Sequence, residues 1–296
     1  MIVVDYSGTA IAAIMQFQED LKRGDDVENI IRHVIINTIK MYKRQFKREF
    51  GNEIIIACDG RNYWRKDIFE YYKYRRKKDR EKSDVPWELI HESMEMVKQD
   101  LINHFPYKVI QVNAAEADDV MAVMCMHIAP ANKQSIGLYE DPEPVLLITS
   151  DKDMKQLWSE HVKIYLPRDK KFAKLEDSKK MFLRKLILTG DAGDGVPNVF
   201  SPNDSFFTGI RQKPATQKKM LPFLEAKNMT DATDDPLIKQ RIIENARLIS
   251  FSFIPDRVEQ DIIAAYNVPP KGNKMTIFDY LARKGMKQMM NDIDDF

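Results

Sequence analysis

Nine carboxylates, Asp5, Asp59, Glu116, Asp118, Asp119, Asp151, Asp153, Asp191 and Asp194, stand at or just beyond the ends of apolar runs: IVVD, EIIIACD, KVIQVNAAEADD, VLLITSDKD and LILTGDAGD. Short apolar, β-branched runs bounded by polar turns and separated by helical stretches read as buried parallel strands. Ligands of such sheets bind outside the carboxyl ends of the strands. Acids gathered there repel one another, so several must take up protons or bind cations. Mg²⁺ accepts carboxylate oxygens while keeping several waters, and two such ions roughly 3.5–4 Å apart are a recurrent device for phosphodiester cleavage. The pattern therefore points to phosphoryl chemistry on two Mg²⁺ ions, with Mn²⁺ as a substitute.

A single Asp after a strand also serves as a turn former or helix cap, and for Asp5 or Asp59 taken alone that alternative stays open. The closely spaced groups differ. Glu116, Asp118 and Asp119 at the start of a helix, and Asp151 with Asp153 just after VLLITS, concentrate more charge than capping requires.

The elements that must position these acids follow from periodicity. Up to about residue 185 the order is strand, helices over 9–21 and 27–50, strand, a basic helical stretch, helix 87–103, strand, helix 118–128, strand, a short helix, and a strand over 162–166. That alternation predicts an α/β domain, residues 1–185, with a mostly parallel central sheet and helices on both faces. Beyond residue 186 the strand signals fade into short helical pieces, a longer amphipathic stretch over 235–252 and a helix near 277–281. A smaller C-terminal helical domain over 186–296 is expected.

The chain has 296 residues, 44% of them hydrophobic, and a formal net charge of +1. This is ample for a buried core, and the total charge makes no electrostatic case for a nucleic-acid partner. Cys58 and Cys125 lack CxxC spacing, so neither a disulfide framework nor a zinc site is expected, and both read as buried thiols. No apolar run has the length of a membrane span, and an acid at position 5 excludes an ordinary signal peptide. A soluble cytoplasmic protein, with no membrane partner, is expected.

Charge is concentrated locally. Residues 61–82 carry ten Lys or Arg against four acids, a net +6, interleaved with Tyr63, Trp64, Phe69, Tyr71, Tyr72 and Tyr74. Cations bind the phosphate backbone and aromatic faces stack on unpaired bases, although a solvated charged helix is the plainer alternative. The segment starts two residues after Asp59, which favours a basic arch, about residues 61–95, that guides a strand to the acids. Lys73 and Arg76, one helical turn apart, are expected to face one phosphate, with Arg75, Lys77, Lys78 and Arg80 binding nucleic acid around them.

The succession VDYS, CDG, YYKYRR, AEADD, TSDKD and TGDAGD resembles the 5′-nuclease family, which includes flap endonucleases and the nuclease domains attached to bacterial DNA polymerases. NYWRKD, SPNDSFFTGI and YNVPPKGNKMTIFDYLARKG are similar to its T-even bacteriophage ribonuclease H branch, over essentially the whole chain. The resemblance implies a PIN/5′-nuclease-like fold, not the unrelated ribonuclease H fold. It implies a Mg²⁺-dependent 5′ to 3′ exonuclease and flap endonuclease that removes RNA primers and adjacent DNA from lagging-strand fragments, working in the host-cell cytoplasm. Asp5, Asp59, Glu116, Asp118 and Asp119 would form one metal site, and Asp151, Asp153, Asp191 and Asp194 the other. Lys73 and Arg76 match the family's basic pair at the scissile phosphate, with Tyr72 and Tyr74 as base-stacking candidates. Branched, nicked or flapped duplex DNA and RNA–DNA hybrids are the implied substrates. A single-stranded-DNA-binding protein is the implied partner of residues 268–296.

Three departures qualify the likeness. In place of the glycine-rich hairpin of the type GVxGIGxKTA, which in the family often holds a monovalent ion, the chain reads GDGVPNVFSPNDSFFTGIRQKPATQ, so duplex contact is expected partly from Arg211, Lys213, Lys218 and Lys219, and a K⁺ site stays open. The first strand opens almost at Met1, without the short extension that the branch uses on the sliding clamp, so weak or displaced clamp contact is expected. Asp118 and Asp119 are both acids where the phage relatives carry one amide, which adds negative charge. The competing reading is a catalytically lapsed protein of the same fold that binds branched DNA, and the complete acid set argues against it. A different Mg²⁺ phosphotransferase is disfavoured, since no glycine-rich phosphate cradle appears.

Overall fold

The computed structural model describes residues 1–17, 26–74, 85–136 and 139–296. In chain order, β1 (Ile2–Asp5) runs directly into α1 (Tyr6–Ile14), and α2 (Val27–Phe50) leads to β2 (Ile54–Cys58) and the short α3 (Trp64–Ile68). Next come α4 (Trp87–His104), β3 (Lys108–Gln111), α5 (Ala117–Val123) and a hairpin of β4 (Lys133–Ile136) and β5 (Tyr139–Pro142). β6 (Val145–Ile148), β7 (Val162–Leu166) and the two-residue β8 (Lys171–Phe172) complete the strands. The main remaining helices are α6 (Lys179–Thr189), α7 (Gln217–Glu225), α8 (Pro236–Ile249), α9 (Asp256–Tyr266) and α10 (Lys274–Arg283).

Six strands form one sheet in the order β3-β2-β1-β6-β7-β8, and every neighbouring pair is parallel except β7 with β8. All residues of β2 and β6 are buried. Since successive side chains of a strand point to opposite faces, both faces of the sheet are covered, as continuous apolar runs require. The register matters most for function. Asp5 pairs with Ala57 and Val4 with Ile148. The carboxyl ends of β1, β2 and β6 therefore lie at one sheet edge, and the acids that follow all three strands start from there.

The chain divides into two compact units, one made of Met1–Arg61, Pro86–Ala173 and Asp256–Phe296, the other of Asn62–Val85 and Lys174–Pro255. This differs from the expected division at residue 186, because the last 41 residues pack into the α/β unit. Ile277, Tyr280 and Leu281 on α10 are buried, and Phe105 stacks edge-on to both Tyr280 and Phe296, at 5.5 Å each. The Thr276 hydroxyl donates to the His104 carbonyl (2.8 Å), and Lys40 Nζ pairs with Asp292 (2.8 Å). Removing residues 268–296 would therefore open this core.

In the second unit, Tyr72, Leu188, Val196, Val199, Phe223 and Ile242 are among the residues of a separate hydrophobic core. The run Leu186–Thr189, expected as a strand, is the last turn of α6. Ser178 caps that helix by accepting from the Met181 N–H, Ile187 and Leu188 are its buried face, and Gly190 ends it at φ +66°. Cys58 is buried, and burial pushes its thiol pKa up, whereas Cys125 is only partly covered. Among the described residues no helix is long and apolar enough to cross a membrane.

Candidate metal centre and nucleic-acid interface

Asp5 closes β1 and caps α1. Its Oδ1 accepts the Gly8 N–H (2.9 Å), and its Oδ2 accepts the hydroxyl of Thr149 (3.0 Å), the residue after β6. Gly8 has no Cβ, and one built there would overlap the Asp5 carboxylate. Thr149 is buried, and its hydroxyl oxygen also accepts the Asp151 N–H (3.0 Å). Asp151 Oδ1 in turn accepts the Asp153 N–H (2.8 Å), starting a 3₁₀ turn. One hydroxyl thus ties the β1 acid to the acids after β6. The Asp5 carboxyl is pushed up to about 6, chiefly by burial and further by the charges of Asp59 and Asp151, against the pull of the Gly8 N–H and Thr149 hydroxyl. Three strand ends therefore bring their acids within electrostatic reach of one another.

Asp59, one residue beyond β2, reaches across to α5, its Oδ1 accepting the Ala117 N–H (3.1 Å). Gln111 at the end of β3 donates to the Asp59 carbonyl (2.7 Å) and is itself held by Lys98 Nζ (2.9 Å). At the head of α5, Glu116 and Asp119 are both buried, and Asp119 Oδ2 accepts the Glu116 N–H (3.0 Å) in a capping-box arrangement. Asp118 is the partly exposed member of the pair. Asp119 thus has a capping role at the head of α5, in a group expected to carry more charge than capping requires.

Gly60 locks this corner. Its N–H donates to the Ala115 carbonyl (2.8 Å), and a Cβ there would overlap the Val112 carbonyl oxygen and press on that of Ala115. Because both obstacles are backbone, Gly60→Ala is expected to cost about 3 kcal/mol and lower Tm by roughly 6–12 °C. A melt within 2 °C of wild type by circular dichroism would contradict this packing.

Among the described residues no three His, Cys, Asp or Glu side chains are gathered into a ready-made set for a metal ion. The donors at these strand ends are nonetheless all oxygen, carboxylates and one hydroxyl, which suit a hard cation. A desolvated carboxylate beside two others is also an arrangement that positive charge relieves.

Asp191 and Asp194 belong to the second unit. Asp191 follows the α6 terminator, its Oδ1 accepts the Gly193 N–H (2.7 Å), and it makes a single β-bridge with Val196. Asp194 anchors the root of the basic segment. Tyr72 OH donates to its Oδ2 (2.8 Å), the Lys73 N–H donates to its carbonyl (2.8 Å), and Lys73 Nζ lies 3.7 Å from its Oδ1, over the rings of Tyr63 and Tyr72. One expectation changes here. Tyr72 is 4% exposed, a core residue with its hydroxyl on Asp194 and no open face for a base. Lys73 itself stands in a turn at φ +57°, its N–H on the Asp194 carbonyl. Tyr74 is 39% exposed. Arg75, Arg76, Lys77, Lys78 and Arg80 lie outside the described residues. Arg211, Lys213, Lys218 and Lys219 are all exposed.

Sequence reasoning missed Thr149, Gly8, Gly60 and Gln111. The first three stand inside or beside the motifs TSDKD, VDYS and CDG, where a hydroxyl two residues before an acid and glycines beside acids were legible signals.

Residues 1–185 match the family model described as 5′-3′ exonuclease, N-terminal resolvase-like domain, and residues 177–296 match T4 RNase H, C terminal. The chain is 30% identical to the ribonuclease H of Enterobacteria phage T4, over 99% of this chain and 95% of that protein. It is 26% identical to a 5′-3′ exonuclease of Buchnera aphidicola, over 67% and 66%. The fold is also that of the bacteriophage T5 flap endonuclease, solved as a pseudo-enzyme–product complex with DNA and metal ions. That structure superposes with a TM-score of 0.60 at 14% identity, covering 90% of this chain and 99% of the other.

Proposed function

Because the chain belongs to the 5′-3′ exonuclease family, in its T4 RNase H branch, and is therefore a nuclease, we propose that it is a Mg²⁺-dependent 5′ to 3′ exonuclease and 5′-flap endonuclease. It removes RNA primers and adjacent DNA from lagging-strand fragments in phage-type replication. The observation that carries this reading is the bridge from Asp5 through Thr149 to Asp151 at the shared ends of parallel strands, with Asp59 close enough to raise the Asp5 pKa.

In this reading Asp5, Asp59, Glu116, Asp118 and Asp119 serve a first ion, some of them through water, and Asp151 and Asp153 serve a second. Asp191 and Asp194 join the second set on the sequence resemblance alone. Bound divalent ions would supply a water of lowered pKa and neutralise charge on the phosphate under attack. The chain's part is to hold its acceptors still: the Gly8 N–H and Thr149 hydroxyl fix Asp5, the Ala117 N–H fixes Asp59, and the Asp153 N–H fixes Asp151. Lys73 binds the scissile phosphate, with Arg76 beside it. Substrate choice rests on the shape of flapped or nicked duplexes and RNA–DNA hybrids, since no base-reading module is present in the sequence.

The test is cleavage of a labelled 5′-flap duplex and a nicked RNA–DNA hybrid, with Mg²⁺ or chelator, for the wild type and Asp151→Asn. Short products that require both Mg²⁺ and Asp151 are expected. Tight binding without cleavage in any divalent metal would establish the catalytically lapsed binder instead.

A single-stranded-DNA-binding protein is the proposed partner of the C-terminal helices. Met275, 74% exposed, and Phe278 stand three residues apart on α10 and so share a face. Met275→Ser with Phe278→Ser should shorten degradation tracts severalfold on protein-coated templates and leave naked ones unchanged. Equal loss on both would exclude this contact.

A further inference from the structure

Phe207, in the one-turn helix Ser205–Thr208, leaves 49% of its surface in solvent, and Ile210 just beyond that helix leaves 55%. The Phe207 ring packs against Tyr71 (5.1 Å between centroids, 36° between planes) and edge-on to Tyr74 (4.9 Å), and Tyr71 is backed by Phe69 (5.6 Å). The loop that presents it is pinned by buried polar groups. Asn198 accepts the Phe200 N–H and the Ser201 hydroxyl and donates to the Lys213 carbonyl (2.9 Å), while its own N–H reaches Gln212 Oε1 (2.7 Å). Ser201 Oγ accepts the Lys213 N–H (2.9 Å), and the Phe207 N–H donates to the Asp204 carbonyl (2.9 Å). Core-grade hydrogen bonding is thus invested in holding an aromatic face outward. Residues 205–219 carry four cations, Arg211, Lys213, Lys218 and Lys219, and no acid.

An outward aromatic face on a preorganised segment that carries four cations along the chain is complementary to a polyanion with exposed rings. A protein partner would instead call for few lysines, which here supply three of the four cations, Lys213, Lys218 and Lys219. Bases inside a duplex are already stacked, so an unpaired base is the ligand that fits. We propose that Phe207, supported by Tyr71 and Tyr74, is a stacking platform for an unpaired nucleobase of the substrate's single-stranded 5′ segment, with Arg211 and Lys213 taking the neighbouring phosphates. This rests on the nuclease reading and deepens it.

The experiment is fluorescence anisotropy in chelator, so that nothing is cleaved, with a 5′-flap duplex, the same flap built of abasic residues, and a blunt duplex. Phe207→Ala is expected to weaken flap binding about tenfold and blunt-duplex binding less than about twofold, from one lost base stack. The abasic flap should reproduce that loss on the wild type. Phe207→Trp should keep affinity, with indole emission quenched by the flap and not by its abasic form. Unchanged flap affinity in Phe207→Ala, or equal loss on flap and blunt duplex, would overturn the platform. Wild-type protein that bound none of the three would overturn the nuclease reading and the platform with it.

Discussion

Asp5→Asn abolishes cleavage and at the same time raises the stability of the metal-free protein at pH 7. The Asp5 carboxyl titrates at about 6 in the folded chain against an ordinary value of 3.8, through burial and then the charges of Asp59 and Asp151. A shift of that size corresponds to about 3 kcal/mol of destabilisation once the group is ionised. The sign follows from which state holds the proton more tightly. The folded chain does, so the penalty is absent below pH 3.8, grows as pH rises to 6 and is constant above that. Asparagine removes the charge, retains a side-chain oxygen to cap α1 through the Gly8 N–H, and gives up the carboxylate that accepts from Thr149, which offsets part of the gain.

Chemical denaturation in chelator should therefore show the variant more stable than wild type by about 1–2 kcal/mol at pH 7 and equal to it near pH 4. Mg²⁺ should raise the wild-type Tm more than that of the variant, which has lost a ligand of the first ion. Cleavage should fall on the order of a thousandfold or more, because a lost ligand forfeits several kcal/mol of transition-state charge stabilisation. A variant less stable than wild type across this whole pH range would mean that the carboxylates do not repel as described.

Lys73→Met lowers kcat by roughly 10²–10³-fold while flap affinity changes less than about threefold. Lys73 Nζ rests 3.7 Å from Asp194 Oδ1, over the rings of Tyr63 and Tyr72. One phosphate contact among many carries little of the binding, whereas a cation at the phosphate under attack acts mainly on the transition state. Methionine keeps the length and the apolar stem, and the left-handed backbone is equally strained with either residue. Single-turnover rates and anisotropy in chelator separate the two quantities. A parallel loss of affinity at unchanged kcat would make Lys73 a binding residue only.

How much was readable depended on whether neighbours in sequence or in space decide each feature. IVV, III and VLLI are continuous apolar runs that only a doubly covered parallel sheet accommodates, so the strands and the acids behind them were legible. Val27–Phe50 and Val162–Leu166 fall where periodicity put them. Leu186–Thr189 has the same apolar look as a strand, yet the Ser178 cap and the preceding KKMFLRK make it the end of a helix. Tyr72 sits in a basic, aromatic segment and reads as exposed. Only Asp194, more than a hundred residues away, and the core around Leu188 show that it is buried. The return of residues 256–296 to the α/β unit depends on partners such as Phe105 and Lys40, which no local pattern announces. The Thr149 bridge between two strand ends is of the same kind.

The central claim is that the strand-end acids hold the divalent ions, and diffraction at the manganese edge from crystals soaked in Mn²⁺ tests it most directly. Anomalous peaks should lie within direct or one-water reach of Asp5, Asp59 and Asp151, roughly 2–4 Å from their oxygens, and the peak at Asp5 should vanish in Asp5→Asn. Ordered Mn²⁺ found only elsewhere on the protein, with no peak at these acids at saturating concentration, would contradict the account.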